Sequence, residues 1–475
     1  MILGGTQSLP LPVLTMMPLN IKQLTLTDLI LNRRGTLTFR IVLGAFGIAL
    51  RLFFRRIETV NADIVPKGTG VIFVMNHPNG LVDPALVFVA LPRKISFLAK
   101  STLFRMPVIS FLLKTVEALP LYRRIDAGED VSKNQKTFEL CRELLQKGGS
   151  IALFPEGVSH NSPKMLPAKT GAARIALGAV SVADESEPLD LRIVPVGLYY
   201  TNKTTFRSEA LLHFGEPFTV EPVELDADGQ PVREAVKTLT ARIENALREV
   251  TLNAETESDL HTAKIAEEIF ASAEMNENLG EKREFLQKFV TGTSDDSADV
   301  EDKVLREKLV EYDKKLDDHN IGPEHLSLAQ FSRGSVFKQA LIQTWPLAAL
   351  SPFALAGAII HYPAYKLCGV FADRYSRHDA DDVASTVKVL AGMLFMPLTW
   401  LIAAGFVYYF LGWKSALLSV PLMVVCGYIA LHTLEEIEEL RGWAKAIWLF
   451  LTKREAFLRL YVERRELQHE LREFD

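Results

Sequence analysis

Short apolar runs alternate with helical patterns in the middle of the chain. Runs rich in β-branched and aromatic residues predict strands at 71–75, 95–99, 151–154 and 192–200. Apolar positions at helical spacing predict the intervening helices at 85–91, 102–116, 132–146 and 170–180. Strands separated by helices favour an α/β domain with a largely parallel sheet flanked by helices, in which ligands bind at the carboxyl ends of the strands.

The longest apolar stretches lie near the carboxyl end of the chain. Residues 389–411 are 23 consecutive uncharged and mostly apolar residues, which predicts a transmembrane helix. Residues 415–432 supply a second stretch, and a short turn at Gly412 joins the two into a membrane hairpin. Residues 341–365 are also apolar, but three prolines and His361 interrupt them, so this segment either spans or re-enters the bilayer.

A shorter apolar stretch lies near the amino end, at residues 40–56. Its roughly 14 apolar positions are too few to span a bilayer comfortably. Arginines flank it on both sides, namely Arg33, Arg34, Arg55 and Arg56. This pattern predicts an interfacial membrane anchor with its arginines at the headgroups, and a buried core helix is the alternative.

Changes in composition divide the chain into five predicted regions. They are an N-terminal segment with the interfacial anchor (1–60), the α/β domain (61–250), a charged helical accessory region (251–335), the membrane segments with the hairpin 389–432 and the spanning or re-entrant segment 341–365 (336–435), and an amphipathic basic tail helix (436–475). The basic tail and the arginines around the anchor both prefer the cytoplasmic side. We therefore expect an integral membrane protein with its α/β domain on the cytoplasmic face. A re-entrant 341–365 would keep the number of crossings between these two basic regions even.

Overall composition narrows the choice of partners. The net charge of −5 argues against nucleic-acid binding. Cys141, Cys368 and Cys426 are too scattered to form a metal cluster or a disulfide framework, so we expect no metal site and a reducing cytosol around the α/β domain. The hydrophobic content of 48% is high for a soluble protein, and the excess lies at the two ends of the chain.

The first motif with candidate chemistry follows the predicted strand 71–75 and reads Asn76-His77-Pro78-Asn79-Gly80-Leu81-Val82-Asp83-Pro84. Its Asn-Gly pair is typical of a tight turn, and Asp before Pro predicts the start of a helix capped by Asp83. Such a turn can bring His77 beside Asp83, and an imidazole held by a carboxylate is the arrangement that a general base acting on an alcohol needs. The alternative is a purely capping Asp83 and a solvated His77.

The second motif ends the predicted strand 151–154 and reads Phe154-Pro155-Glu156-Gly157, followed later by Pro167-Ala168-Lys169-Thr170-Gly171. Gly157 permits close approach of another backbone, and a helix that starts at Thr170 would attract a phosphate to its amino end. Together the two motifs resemble the glycerolipid acyltransferase superfamily. The spacing His-x5-Asp is one residue longer than the commonest form. With Phe-Pro-Glu-Gly and Pro-x-Lys-x-Gly it is similar to the fungal-type glycerol-3-phosphate and dihydroxyacetone phosphate acyltransferases.

This resemblance implies an enzyme that moves a fatty acyl group from acyl-coenzyme A or acyl carrier protein to the sn-1 hydroxyl of glycerol-3-phosphate or dihydroxyacetone phosphate, the first step of phospholipid synthesis. It implies no cofactor beyond this co-substrate. His77 would deprotonate the hydroxyl, Asp83 would orient the imidazole, and amides around Asn79 and Gly80 are candidate donors to the oxyanion. The residues expected to contact substrate are Asn76, Lys100, Arg123, Arg124, Glu156, Gly157, His160 and Lys169.

Three other functions remain open at this point. A lysophosphatidate acyltransferase is the nearest, although the longer spacing and Ser159, where many superfamily members have Arg, argue against it. A metal-dependent hydrolase would need the side chains of His77, Asp83, Glu156 and His160 to converge on one ion. A membrane-anchored lipid-binding scaffold with a catalytically dead site is an alternative from a different class.

Overall fold

A computed structural model describes most of the chain. The described residues are 21–25, 36–91, 93–123, 125–126, 128–182, 189–227, 229–274, 278–292, 300–323, 325–326, 333–375 and 381–474. Three residues singled out in the sequence, Arg33, Arg34 and Arg124, lie outside them.

Nine strands of the described chain form one mixed, mostly parallel sheet. They are β1 (Ile21–Gln23), β2 (Arg56–Val60), β3 (Gly70–Met75), β4 (Ser96–Lys100), β5 (Leu119–Leu121), β6 (Ser150–Leu153), β7 (Leu191–Tyr200), β8 (Glu209–Phe214) and β9 (Phe218–Thr219). Their spatial order is β1-β2-β8-β7-β3-β6-β4-β5, and β9 pairs with β7. The five strands from β7 to β5 in this order run parallel, so their carboxyl ends share one edge of the sheet.

Helices cover both faces of this sheet. One face carries α1 (Leu37–Phe53), α2 (Val82–Ala90) and α3 (Pro107–Thr115), and the other carries α4 (Asn134–Gln146), α5 (Gly171–Ser181) and α6 (Arg233–Val250). Strand β3 is buried along its whole length. Because successive side chains of a strand point to opposite faces, Phe73 and Met75 pack in the first layer and Ile72 and Val74 in the second.

The predicted α/β pattern is confirmed, with small shifts at the ends of its elements. The four predicted strands are β3, β4, β6 and β7, and the four predicted helices are α2, α3, α4 and α5. The pattern did not indicate the remaining strands. Strand β5 is only three residues long and contains Pro120, and β2 and β8 carry the buried carboxylates Glu58 and Glu209 in place of a continuous apolar run.

Helix α1 has one buried face and one exposed apolar face. Its buried side includes Phe39, Leu43, Phe46 and Leu50, which join the core beneath α2. Its opposite side exposes four large apolar residues at helical spacing, namely Leu37, Ile41, Ile48 and Leu52. Because β1 and β2 flank α1 and belong to the sheet, the α/β domain begins before the predicted boundary at residue 61.

The charged region after the sheet forms a helical layer, as predicted. It contains α7 (Glu257–Glu274), α8 (Leu279–Gly292) and α9 (Val300–His319), which share one apolar cluster. The cluster is centred on fully buried side chains such as Leu309 and Tyr312. The charged residues of these helices mostly face solvent, consistent with their composition.

The apolar segments form long helices, α10 (Arg333–Tyr375) and α11 (Asp381–Thr452). Helix α11 breaks at Gly412, where φ is 78°, and divides into the arms 381–411 and 413–452. His361 of α10 accepts a hydrogen bond from Trp400 Nε1 at 2.8 Å in the first arm and also contacts Gly427 in the second. The two arms therefore run back alongside each other as the predicted hairpin.

By length and composition, two stretches of the described chain can cross a membrane, Trp345–Arg374 and Ala384–Thr452. Only 17% and 6% of their most apolar windows are buried by protein, so they are not core helices of a soluble fold. The segment 341–365 lies within α10, which continues as one helix through Pro346, Pro352 and Pro363. Whether it spans or re-enters the bilayer stays a prediction.

The tail forms α12 (Arg454–Phe474), which packs on the accessory helices. Tyr312 Oη donates to the carbonyl of Leu460 at 3.1 Å, and Lys315 pairs with Glu463 at 2.7 Å. The amphipathic face predicted for the tail is therefore buried against protein.

Gly197 of β7 offers a test of the sheet–helix packing. A Cβ atom at this position would lie 1.9 Å from the carbonyl oxygen of Val250, at the end of α6. We expect Gly197→Ala to lower the stability of the fold by about 1–3 kcal/mol, as overpacking does. Gly44→Ala is the matched control, because its Cβ would meet nothing within 4 Å on α1. Thermal unfolding of both variants checks this, and equal midpoints would contradict the packing.

Candidate active site

Polar side chains from five adjacent strands meet at the shared carboxyl edge of the sheet. His77 and Glu156 follow β3 and β6, and Lys100 is the last residue of β4. Arg123 follows β5, and Tyr200 ends β7. This edge is where ligands bind in open α/β sheets. The two sequence motifs, about 80 residues apart in the chain, are thereby brought into direct contact.

The histidine turn (residues 76–83) brings His77 onto Asp83. The Nδ1–H group of His77 donates to Asp83 Oδ2 at 2.8 Å, which leaves the Nε2 lone pair of the ring for a substrate proton. Nε2 has no hydrogen-bond partner in the described part of the chain, and 18% of the His77 side chain is exposed. The contact predicted from the turn is thus present, in the geometry of an oriented general base.

Asp83 is fully buried, and three donors compensate its carboxylate. Besides His77, the amide of Asn79 donates to Oδ2 at 2.7 Å and the hydroxyl of Tyr200 donates to Oδ1 at 2.6 Å. Burial, followed by the charge of Asp83, raises the pKa of Tyr200 well above its ordinary value, so the hydroxyl remains a donor.

The role of Asp83 differs from the predicted N-cap. Helix α2 begins at Val82, two residues earlier than the cap assignment requires, and Asp83 lies inside its first turn. Its carboxylate reaches back to the Asn79 amide across the turn. That amide is therefore not available to an oxyanion, which leaves the Gly80 amide of the two predicted donors.

Two further contacts orient the histidine. The His77 ring stacks on Phe154, with centroids 3.9 Å apart and planes 13° from parallel. Asn76 bonds the neighbouring strand with both ends of its amide, since Nδ2 donates to the carbonyl of Leu198 at 3.0 Å and Oδ1 accepts from the amide of Leu198 at 2.7 Å. Asn76 is expected from the sequence to contact substrate. In the structure its side chain links the end of β3 to β7 by two hydrogen bonds.

The Pro-Glu-Gly turn is locked to the histidine turn by Glu156. Its buried carboxylate accepts from the His77 amide at 3.1 Å and from the Leu166 amide at 2.9 Å, and it also pairs with the His160 ring. The amide of His160 donates to the carbonyl of His77 at 3.2 Å. Glu156 and His160 thus brace the two turns. Gly157 turns the chain with a φ of 78°.

The cations predicted to bind phosphate divide into two groups. Lys100 and Arg123 both contact Asp126, at 3.1 Å and 3.0 Å, and Arg123 Nη1 also donates to the carbonyl of Gly157 at 2.6 Å. The guanidinium of Arg123 and then the ammonium of Lys100 hold the pKa of Asp126 below its ordinary value. Lys169 is exposed and packs its stem beside Gly157. Arg124 lies outside the described residues.

The four side chains of the metal alternative form two separate pairs, His77 with Asp83 and Glu156 with His160. A search of the described residues finds no group of three His, Cys, Asp or Glu side chains arranged to hold a metal ion. The geometry favours hydrogen-bonded pairs over coordination.

Three residues of this site are not predicted from the sequence. The sequence places Tyr200 only in a predicted strand, and its position at the carboxyl end of that strand is the available signal. Phe154 appears only as part of the Phe-Pro-Glu-Gly motif, and its contact with His77 depends on the pairing of β6 with β3. Asp126 lies in a loop without any recognisable pattern, so nothing in the sequence pointed to it.

Two protein families match separate parts of the chain. The family described as "Acyltransferase" matches residues 56–199, from the first residue of β2 to the penultimate residue of β7. The family described as "Glycerol-3-phosphate acyltransferase 2 C-terminal domain" matches residues 264–474, which hold α10, α11 and α12.

Curated relatives match over part of their length. Glycerol-3-phosphate O-acyltransferase 2 of Saccharomyces cerevisiae is 27% identical over 301 residues, which cover 60% of this chain and 40% of the relative. Glycerol-3-phosphate O-acyltransferase 1 of the same yeast is 29% identical, over 57% of this chain and 37% of the relative. A chloroplast 1-acyl-sn-glycerol-3-phosphate acyltransferase of Brassica napus is 30% identical, over 31% of this chain and 38% of the relative. The chain spans about two fifths of the length of each of these relatives.

A Tyr200→Phe variant tests how much the hydrogen bond from Tyr200 to Asp83 contributes to the stability of the fold. Tyr200→Phe removes one hydrogen bond from a buried carboxylate, and we expect a loss of about 1–3 kcal/mol in stability. Tyr199→Phe is the control, because the Tyr199 hydroxyl makes no hydrogen bond within the described residues and this residue points to the opposite face of β7. Thermal unfolding midpoints compare the two variants. Equal shifts would mean that the bond to Asp83 contributes nothing.

Proposed function

We propose that the chain is a glycerolipid acyltransferase that transfers a fatty acyl group from acyl-coenzyme A or acyl carrier protein to the sn-1 hydroxyl of glycerol-3-phosphate or dihydroxyacetone phosphate. The observation that carries the proposal is the His77 imidazole, held at Nδ1 by a buried Asp83 with Nε2 open. The names of the two yeast relatives and of the C-terminal family support this acceptor class.

In the proposed reaction, His77 Nε2 takes the proton of the acceptor hydroxyl as its oxygen attacks the thioester carbonyl. Asp83 stabilises the imidazolium that forms, and the stack on Phe154 holds the ring in the attacking orientation. Collapse of the tetrahedral intermediate expels the thiolate, which recovers the proton from His77. The amide of Gly80 is a candidate donor to the oxyanion. The thioester is a co-substrate, and the steps require no resident cofactor.

The acceptor phosphate would bind between the Pro-Glu-Gly turn and the ends of β4 and β5. Lys169 supplies an exposed ammonium beside Gly157, whereas Lys100 and Arg123 are held together by Asp126. We propose that all three contact the phosphate, since multiple cations are the usual means of holding a dianion. Glu156 and His160 would act by fixing the turn that carries these contacts.

The two apolar helices support association with a membrane. We propose that the two arms of the α11 hairpin cross the bilayer, so that the basic tail returns to the side of the α/β domain, and that this side is the cytoplasmic face, where basic segments are retained. The exposed apolar stripe of α1 would then rest in the interface as the anchor. An acyl chain prefers the bilayer by about 0.8 kcal/mol per methylene, so a domain held at the surface can release its product laterally.

The runner-up is acylation of lysophosphatidate, which the Brassica napus relative supports over a shorter match. The C-terminal family match covers 264–474 and favours the first acylation over the second. A lipid-binding scaffold without activity is the remaining alternative. The assembled His77–Asp83 pair argues against it, because a dead site has no need of an oriented base.

An acceptor panel tests the proposed function. We expect the purified protein in detergent to acylate radiolabelled glycerol-3-phosphate and dihydroxyacetone phosphate with acyl-coenzyme A. His77→Ala should lower the rate at least about 100-fold, since general bases contribute that much or more. His319→Ala, on α9, is the control and should retain activity. Acylation of lysophosphatidate alone would support the runner-up. Failure with both acyl-coenzyme A and acyl carrier protein would support the scaffold.

Lys169 tests the phosphate site. We expect Lys169→Gln to raise KM for glycerol-3-phosphate about tenfold with little change in kcat, because a charge-assisted bond to phosphate acts equally in the ground and transition states. Lys164→Gln removes a nearby surface cation that pairs with Glu255 and should leave both constants unchanged. An unchanged KM in Lys169→Gln would remove this residue from the acceptor site.

A further inference from the structure

The histidine turn is held from outside the α/β domain. The amide of Leu81 donates to Thr386 Oγ1 at 3.0 Å. Thr386 is the sixth residue of α11. Leu81 follows Gly80, whose φ of 38° marks the sharpest point of the turn. A side chain at the amino end of the apolar hairpin thus accepts a hydrogen bond from the backbone between His77 and Asp83.

The same end of α11 also holds the loop that connects β7 to β8 (residues 201–208). Ser385 Oγ donates to the carbonyl of Lys203, and Lys388 Nζ donates to the carbonyl of Thr204 at 2.8 Å. The buried side chain of Asn79 donates to the Lys203 carbonyl as well, at 3.3 Å. The histidine turn, the 201–208 loop and the helix therefore form one hydrogen-bonded junction.

Apolar and charged contacts fix the helix at this junction. Val389 is buried in the core cluster beneath α1 and α2, and Leu390 and Met393 pack against it. On the second arm of the hairpin, Glu435 pairs with Arg207 of the 201–208 loop. Because both arms contact the domain, a displacement of the hairpin would move the Thr386 hydroxyl relative to the turn.

We propose that Thr386 is a positioning residue of the acyl-transfer site, through which the amino end of the apolar hairpin holds the histidine turn in its active conformation. This inference rests on the proposed function. Thr386 acts on the backbone at Leu81 and leaves the phosphate cations untouched, since these lie on β4, β5 and the Pro-Glu-Gly turn. The geometry of the base, and not the affinity for the acceptor, depends on it.

The test compares three full-length variants in detergent. Thr386→Val keeps the shape of the side chain and removes the acceptor hydroxyl. Thr386→Ser keeps the hydroxyl. Thr399→Val changes the same residue type farther along the first arm, where its hydroxyl makes no hydrogen bond within the described residues. The readouts are kcat and KM for glycerol-3-phosphate, the thermal unfolding midpoint, and hydrogen exchange of the peptide spanning residues 76–86.

We expect Thr386→Val to lower kcat about tenfold with KM within about twofold, because the loss affects the transition state only. Thr386→Ser and Thr399→Val should stay within about twofold of the parent, and all midpoints should agree within a few degrees. A parental kcat in Thr386→Val, or an equal loss in Thr386→Ser, would overturn the proposal.

Hydrogen exchange separates this proposal from the proposed function. The Leu81 amide should exchange about tenfold faster in Thr386→Val than in the parent or in Thr386→Ser, whether or not the protein acylates any acceptor. Parental exchange in Thr386→Val would overturn the positioning role. Faster exchange in Thr386→Val than in the parent, together with a parent that lacks acyltransferase activity, would keep the contact and reject the proposed function.

Discussion

The buried carboxylate of Asp83 is the interaction on which the site depends. A carboxylate removed from water is costly unless charged or polar donors compensate it. Asp83 obtains three donors from three different parts of the chain: the His77 ring, the Asn79 amide and the Tyr200 hydroxyl. Meeting this requirement fixes the shape of the turn, the tautomer of His77 and the separation of β3 from β7. The hydrogen bonds that offset the cost of burying the Asp83 carboxylate also orient the His77 imidazole.

The parallel block of the sheet explains why chemistry from distant segments converges. The carboxyl ends of its five strands share one edge, so each turn that leaves the edge contributes side chains to the same space. Glu156 connects the two most important turns, because its carboxylate accepts from the His77 backbone and from the segment that leads to Lys169. Under the proposed function, binding of the acceptor and activation of its hydroxyl would depend on the same carboxylate.

The apolar helices do more than attach the domain to a surface. The amino end of α11 contacts both loops that frame His77, and the second arm of the hairpin holds Arg207 through Glu435. Under the proposed function, this junction would connect the position of the apolar hairpin to the geometry of the base. It also brings part of the region matched by the C-terminal family into direct contact with the histidine turn.

The sequence by itself determined the alternation of strands and helices and the apolar hairpin, and it predicted that a turn can bring His77 beside Asp83, because these depend on local periodicity and on turns of a few residues. Only the structure decided between this contact and a solvated His77. It did not reveal Tyr200, Asp126 or Thr386. Each of these acts across more than 40 positions of the chain or from a loop without a pattern, so only the folded arrangement shows its partner. It also left open whether α1 is a core helix or an anchor. Only the tertiary structure decided that one face of α1 is buried while the other remains exposed, because burial depends on what packs against a helix as well as on its own residues.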